Sequence, residues 1–286
     1  MFDVFKNRLE LNGILTTVTA LRISQGRSTE PIGSDLPVVK DSLGHPLIPG
    51  SSFKGALRSR LESFLRGINT RFAVDPSELT DPNWTRWLKE QKQAHENNDA
   101  ALTEALMQQT DLVSRVFGSP WAAGKFQVRD LTVFSDTWFG QYQERDGVSI
   151  DRDTETAAEG KLYDFQVVPA GTPFEFKAVV ENAQDWELGL LMIGLHQFET
   201  EQIPLGGGRS RGLGVVRLEI SDTWWIDYPD DQPEELLTYL KRLVAGEKDT
   251  HYKLSQETFQ SYKQDWTECL INYLTSQMSS TSQVAQ

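Results

Sequence analysis

Residues 8–24, RLELNGILTTVTALRIS, alternate apolar and polar side chains, with Leu9, Leu11, Leu15, Leu21 and Ile23 in one register. A period of two sustained over that length describes a long strand with one face buried and the other wet. Gly13 breaks the apolar register in mid-run, where a bulge is expected. Such a strand needs a layer over its apolar face, and IPGSSFKGALRSRLESFLRG supplies one. It spaces Phe53, Leu57, Leu61, Phe64 and Leu65 at helical intervals, behind Ser51 or Ser52 as the residue that caps the helix. Lys54 and Arg58, four apart, fall to one side of that helix.

Strand patterns recur at Phe126 to Phe134 and at Pro173 to Glu181, the second placing Phe174, Phe176, Ala178 and Val180 on one face. A helix is predicted over Asp185 to Glu199, burying Trp186, Leu190, Ile193 and Leu195, and a last strand over Leu213 to Ile220. The order strand, helix, strands, helix, strand predicts an α+β fold with a ferredoxin-like core over residues 1–220. Residues 73–112 are polar, acidic and helix-permissive, and read as a surface helical insertion without chemistry of its own. Residues 221–286 open with DTWWIDYPDDQP and read as a C-terminal helical extension ending in a frayed tail, SSTSQVAQ.

A chain of 286 residues, 38% hydrophobic and 24% charged, has the composition of an ordinary globular protein of one elaborated domain or two small ones. No run approaches the roughly 18 apolar residues of a membrane span, and MFDVFKNRLELNG carries no secretory signal pattern. With Cys269 the single cysteine, a cytoplasmic, membrane-free protein is expected. One cysteine and four scattered histidines leave no structural zinc site to expect. The net charge of -13 argues against a polyanionic partner until its distribution is followed. Residues 1–74 carry 10 basic and 6 acidic side chains, whereas the rest of the chain carries 18 and 35. A basic face on an acidic protein can bind nucleic acid locally.

Three segments fit that partner. GGGRSRGLG at 206–214 combines glycines, whose amides can approach a phosphate closely, with the forked donors of Arg209 and Arg211. A tight helix-to-strand connection also explains those glycines, and no P-loop pattern is present. The turn Pro49–Gly50–Ser51–Ser52 joins amides and hydroxyls to the cations Lys54 and Arg58 at one helix start, although a plain capped amphipathic helix accounts for most of it. Asp35 lies in the loop IGSDLPVVKD, between the first strand and the basic helix, where a nucleic-acid backbone could pass. A loop carboxylate is usually a turn former; at such a position it can also orient a hydroxyl or hold a divalent metal. The four histidines and eight tryptophans form no motif, and packing roles are expected for them.

Five blocks in order resemble the RAMP superfamily backbone subunit of type III CRISPR-Cas effector complexes. They are LRISQG after the first strand, SDLPVVKDSLGHPLIPGSSFKGALRSRLE, VFGSPWAAGKFQVRDLTVFSD, DGVSIDRDTETAAEGKLYDFQVVPAGTPFEF and PLGGGRSRGLGVVRLEI. The resemblance implies a modified ferredoxin-like, RRM-like core from which a β-hairpin thumb projects near 140–165. It implies copies stacked along a CRISPR RNA, beside other effector subunits that include a large polymerase-like one. Asp35 takes the position of the family's catalytic aspartate, implied to promote cleavage of single-stranded target RNA by the RNA's own 2'-hydroxyl with Mg2+ or another divalent metal. RNA contacts are implied for Ser51, Ser52, Lys54, Arg58 and Arg152, and in the glycine loop for Gly207, Gly208, Arg209, Ser210 and Arg211. The segment 73–112 and the residues beyond 221 lie outside the core pattern.

Overall fold

The alternation of β1 (Asn7–Thr17) becomes a central strand: Leu9, Leu11 and Leu15 are fully buried while Glu10, Asn12 and Ile14 on the other face stay at least partly open. The computed structural model describes residues 4–27, 34–75, 77–147, 163–228 and 232–284. From β1 the chain runs through β2 (Leu47–Ile48) into helix α1 (Gly50–Ile68). It then makes an excursion through α2 (Pro82–Ala94) and α3 (Asp99–Gln109), and returns by α4 (Leu112–Phe117) to β3 (Phe126–Val128) and β4 (Leu131–Thr132). The strands β5 (Gln143–Gly147) and β6 (Tyr163–Val167) precede β7 (Pro173–Glu181), helix α5 (Asp185–Glu199) and the long strand β8 (Val216–Asp227). Helices α6 (Pro233–Ala245), α7 (Lys248–Tyr252) and α8 (Gln256–Val284) follow.

The main sheet has the order β3-β7-β1-β8, antiparallel throughout. Its register shifts between Asn12 and Gly13, which face Asp222 and Ile220, so the irregularity expected at Gly13 is present and β8 carries the extra residue, Ser221. Gly13 is needed there because a Cβ would lie 2.3 Å from the Glu219 carbonyl oxygen.

Helices α1 and α5 cover the Leu9 face. Phe53 of α1 sits 5.2 Å from the Phe176 ring and 4.3 Å from Phe198, tying helix, sheet and second helix together. Helix α5 is apolar nearly all round, as a helix enclosed on several sides must be. Gly194 faces Leu57 and Leu61 of α1, whereas Gly189 lies so close to α8 that a Cβ would come 2.1 Å from the Trp266 carbonyl oxygen. Trp186 stacks on Tyr273 of α8 at 4.6 Å.

Strand β8 continues seven residues past the expected end at Ile220, so a core boundary at residue 220 falls inside a strand. The adjacent tryptophans explain the extension, because both faces of this end of the sheet are covered. Trp225 packs against Trp266 of α8, and Trp224 on the other face joins Ile226, Tyr228 and Tyr239 of α6. Helices α2 and α3 bury none of their described residues, whereas Ala73, Leu79 and Leu112 of the same segment, 73–112, are buried. Strands β5 and β6 form an antiparallel pair from Gln143 opposite Val167 to Gly147 opposite Tyr163. The rest of the expected thumb, with Arg152, lies outside the described residues. Among the described residues no helix is long and apolar enough to cross a membrane.

Candidate functional site

The segment that follows β1 folds back on itself before reaching α1. The Val39 N–H donates to the Ile23 carbonyl at 2.9 Å and the Gln25 N–H to the Pro37 carbonyl at 3.0 Å, which places Asp35 beyond the end of this narrow pairing. Asp35 is half-buried, and its own N–H donates to Asp164 Oδ1 at 3.0 Å. The next residue, Leu36, bridges Phe165 in parallel, and its carbonyl accepts the Gln166 N–H at 3.0 Å. The Asp164 carboxyl is held below its ordinary value, first by the hydrogen bond from the Asp35 N–H. Asp41, by contrast, is a turn former: its Oδ1 accepts the N–H groups of Leu43 and His45 at 2.9 and 2.8 Å.

The hairpin base that receives Asp35 also receives the glycine loop. Arg211 Nη1 donates to the Tyr163 hydroxyl at 3.4 Å, and Arg22 lies 4.3 Å above the Phe165 ring. The loop itself is held by close backbone approach: Gly206 has φ +73°, a Cβ there would meet the Arg22 carbonyl oxygen at 2.1 Å, and the Gly207 N–H donates to that same oxygen at 2.8 Å. Arg209, Ser210 and Arg211 form one exposed 3₁₀ turn between the left-handed residues Gly208 and Gly212.

Between this loop and α1 runs a groove of about 540 Å³. Ser51, Gly55, Ser59 and Ser63, four residues apart, give its α1 wall a low profile, and Gln202, Gly206 and Arg209 stand opposite. Ser52 also lines it. Its cations are Arg60 and Arg209. Arg60 is held by Gln197 Oε1 at 3.2 Å and by the Phe64 ring at 4.8 Å, while Arg209 Nε donates to the Gly206 carbonyl at 3.1 Å.

Lys54 and Arg58, read from the sequence as cations suited to a phosphate at the helix start, lie outside this groove. They occupy the opposite side of α1. Lys54 Nζ donates to the Phe126 carbonyl at 2.8 Å, and burial, with Arg58 nearby, pushes the ammonium below its ordinary pKa. Arg58 is divided among Glu62 at 2.7 Å, the Gly118 carbonyl at 3.0 Å and Ser114 Oγ at 3.0 Å. Nor do Ser51 and Ser52 cap the helix. Pro49 is the N-cap residue, and Asp130 Oδ1 takes the first helical N–H, from Gly50, at 2.8 Å. A carboxylate therefore already sits at the helix tip, and the groove runs along the helix flank instead. Sequence spacing contained the signal for Arg60, which shares a helical face with Ser52, Ala56 and Ser63. Nothing local in the sequence singled out Asp164.

The model of the RAMP superfamily matches residues 14–219, from the middle of β1 into β8. The chain belongs to the RAMP superfamily. Among RAMP proteins it is 25% identical over 218 residues to the CRISPR system Cms endoribonuclease Csm3 of Enterococcus italicus, covering 75% of this chain and 91% of that protein. It is also 25% identical over 234 residues to the protein of the same name from Streptococcus thermophilus, covering 74% and 87% of the two chains. A shorter stretch of 58 residues is 43% identical to the Csm3 of Methanocaldococcus jannaschii, 20% of this chain and 23% of that one. Helices α6, α7 and α8 lie beyond the part that the RAMP model matches. Among the described residues no three His, Cys, Asp or Glu side chains converge as a metal cluster.

Proposed function

We propose that this chain is a backbone subunit of a type III CRISPR effector ribonucleoprotein, acting in the cytoplasm, that lays guide RNA along the α1 groove and cleaves complementary target RNA at Asp35. The observation that carries this reading is the convergence at the hairpin base. Tyr163 meets the glycine loop through Arg211, and the next residue, Asp164, meets the Asp35 loop. The names of the relatives, endoribonucleases of a CRISPR system, supply the substrate class. The same reading takes the sheet order, with α1 after β1 and α5 after β7, as the ferredoxin-like arrangement of an RRM-like core. Neighbouring copies and the large polymerase-like subunit are the partners it implies.

The small side chains of α1 admit a sugar-phosphate backbone, and Arg60 with Arg209 offsets its charge. Cleavage then asks little covalent chemistry of the protein. The target's 2'-hydroxyl attacks the adjacent phosphorus, giving up its proton to the Asp35 carboxylate, and the bond from phosphorus to the 5'-oxygen breaks as that oxygen takes a proton from water. The products are a 2',3'-cyclic phosphate and a 5'-hydroxyl end. The Asp35 carboxylate could hold a divalent cation that keeps most of its ligands as water and phosphate oxygens. When bound, it would supply positive charge at the scissile phosphate.

The test is gel-resolved cleavage by reconstituted complex carrying Asp35→Ala, with and without magnesium. Cleavage at the sites this subunit governs should fall by about 100-fold to 1,000-fold while target binding persists. Asp41→Ala, which alters a turn, should cut normally. If every product persists with Asp35→Ala, the chain is a non-catalytic guide-RNA scaffold. Purification without guide RNA or other subunits would instead indicate a stand-alone single-strand RNA-binding protein.

A further inference from the structure

Asp35 is the first described residue but one after an interval outside the described chain, and the contacts that fix its backbone come from one place. Its N–H is taken by Asp164 Oδ1 at 3.0 Å, and the carbonyl of Leu36 is taken by the Gln166 N–H at 3.0 Å. Of these two anchors only the first involves the amide of residue 35 itself, and only the first is a side chain. Asp164 lies on β6, one strand of the hairpin whose other strand is β5. Among the described residues, the amide of residue 35 is thus held to the hairpin base by the Asp164 carboxylate, 129 residues away in the chain, beside the backbone pairing of Leu36 with β6.

We propose that Asp164 is a positioning residue for Asp35: by accepting the Asp35 N–H it fixes the backbone from which the Asp35 carboxylate reaches the scissile phosphate, and so makes cleavage depend on how the β5–β6 hairpin is seated. This rests on Asp35 being the catalytic carboxylate, as proposed above. A carboxylate acceptor makes the stronger, charge-assisted kind of hydrogen bond, here with the Asp35 N–H at 3.0 Å. The geometric demand is severe, because a misplacement of about 1 Å at a reacting group can cost about 100-fold in rate. Arg211 meets Tyr163, the neighbour of Asp164, so the groove and the Asp35 loop are registered on the same two residues of β6. The hairpin base is then the part that aligns the guide RNA held in the groove, and the target paired with it, with the carboxylate that cuts the target.

Two substitutions separate the hydrogen bond from the charge. Asp164→Ala removes both, whereas Asp164→Asn removes the charge and keeps an oxygen that can accept the Asp35 N–H. In reconstituted complex with guide RNA, single-turnover cleavage should slow by about 10-fold to 100-fold in Asp164→Ala, with the Kd for target RNA unchanged, and stay within about 3-fold of wild type in Asp164→Asn. Hydrogen exchange of a peptide spanning residues 34–40 should quicken in the alanine variant alone, a readout independent of cleavage. An alanine variant that cuts at the wild-type rate overturns the proposal, and so does an equal loss in both variants, which would mean that Asp164 acts through its charge. Asp35→Ala is run beside them. If Asp35→Ala loses cleavage while Asp164→Ala cuts at the wild-type rate, positioning fails alone; if Asp35→Ala cuts normally, the reading of Asp35 fails and takes the positioning role with it.

Discussion

Lys125 Nζ lies 2.5 Å from Glu187 Oε2, and both side chains are almost wholly buried, at 8% and 2% exposure. Glu187 also accepts the Gln184 N–H at 2.7 Å as the third residue of a capping box, so one carboxylate joins the start of α5 to the segment that leads into β3. Burial pushes the Glu187 carboxyl above its ordinary value even though Lys125 pulls it down. Lys125→Met would leave that carboxylate without its cation, and the loss should be about 3–5 kcal/mol in chemical denaturation at neutral pH. A buried carboxyl with a raised pKa is stabilising in its neutral form, and that contribution is lost as pH rises. The deficit of Lys125→Met should therefore shrink as pH falls. A deficit independent of pH would show that Glu187 is not the group left unpaired.

Glu10 has the opposite sign. Burial raises its carboxyl, but the hydrogen bonds and charges of Lys248 and Arg8 outweigh that and hold it below its ordinary 4.5. Stability from a depressed carboxyl is present above the unfolded value and is lost as pH falls through the folded one. Glu10→Gln should thus cost about 1 kcal/mol at neutral pH, allowing for partial exposure, and that cost should vanish as pH falls through the folded value. Urea titrations of the two proteins at several pH values would reveal whether their curves converge.

The groove makes a prediction about salt. Replacing Arg60 and Arg209 together by Ala should weaken guide-RNA binding and reduce the slope of log K against log salt by about 1.4, two phosphate contacts on a single strand. Lys54→Met should lower stability while leaving that slope unchanged, because its ammonium is bound to the Phe126 carbonyl. A slope altered by Lys54→Met and not by the double variant would move the RNA to the other side of α1.

Gly206→Ala tests the seat of the glycine loop. At φ +73° with the Arg22 carbonyl oxygen 2.1 Å from the added carbon, alanine forces backbone to move, at about 1–3 kcal/mol. Gly207→Ala, with open space around it, should be nearly silent in thermal unfolding.

What the sequence made legible follows from how local each signal is. Strand β7 and helix α5 end where their patterns end, because Phe174, Phe176, Ala178 and Val180 and the apolar run from Trp186 to Phe198 state their own periods. The continuation of β8 was illegible: Trp224 and Trp225 in succession fit neither a wet face nor a dry one until α6 and α8 are known to lie on opposite sides. Spacing puts the cations Lys54 and Arg58 on one helix flank without saying what that flank faces. Their partners Phe126, Ser114 and Gly118 decide that from more than 50 residues away. Asp35 stood out by its place in the chain. Asp164 could not, since its importance comes wholly from a partner distant in sequence.

The missing side chain at Gly189 has a wider meaning. Residue 189 lies within the stretch that matches the RAMP family and residue 266 lies outside it, yet the first is bare because the second occupies its space. Helix α8 is therefore not a tail appended to a finished protein but one wall of it. A chain shortened after β8 would retain every family element and still present α5 with a stripped flank around Trp186 and Gly189, a surface more apt to find another apolar surface than to face water.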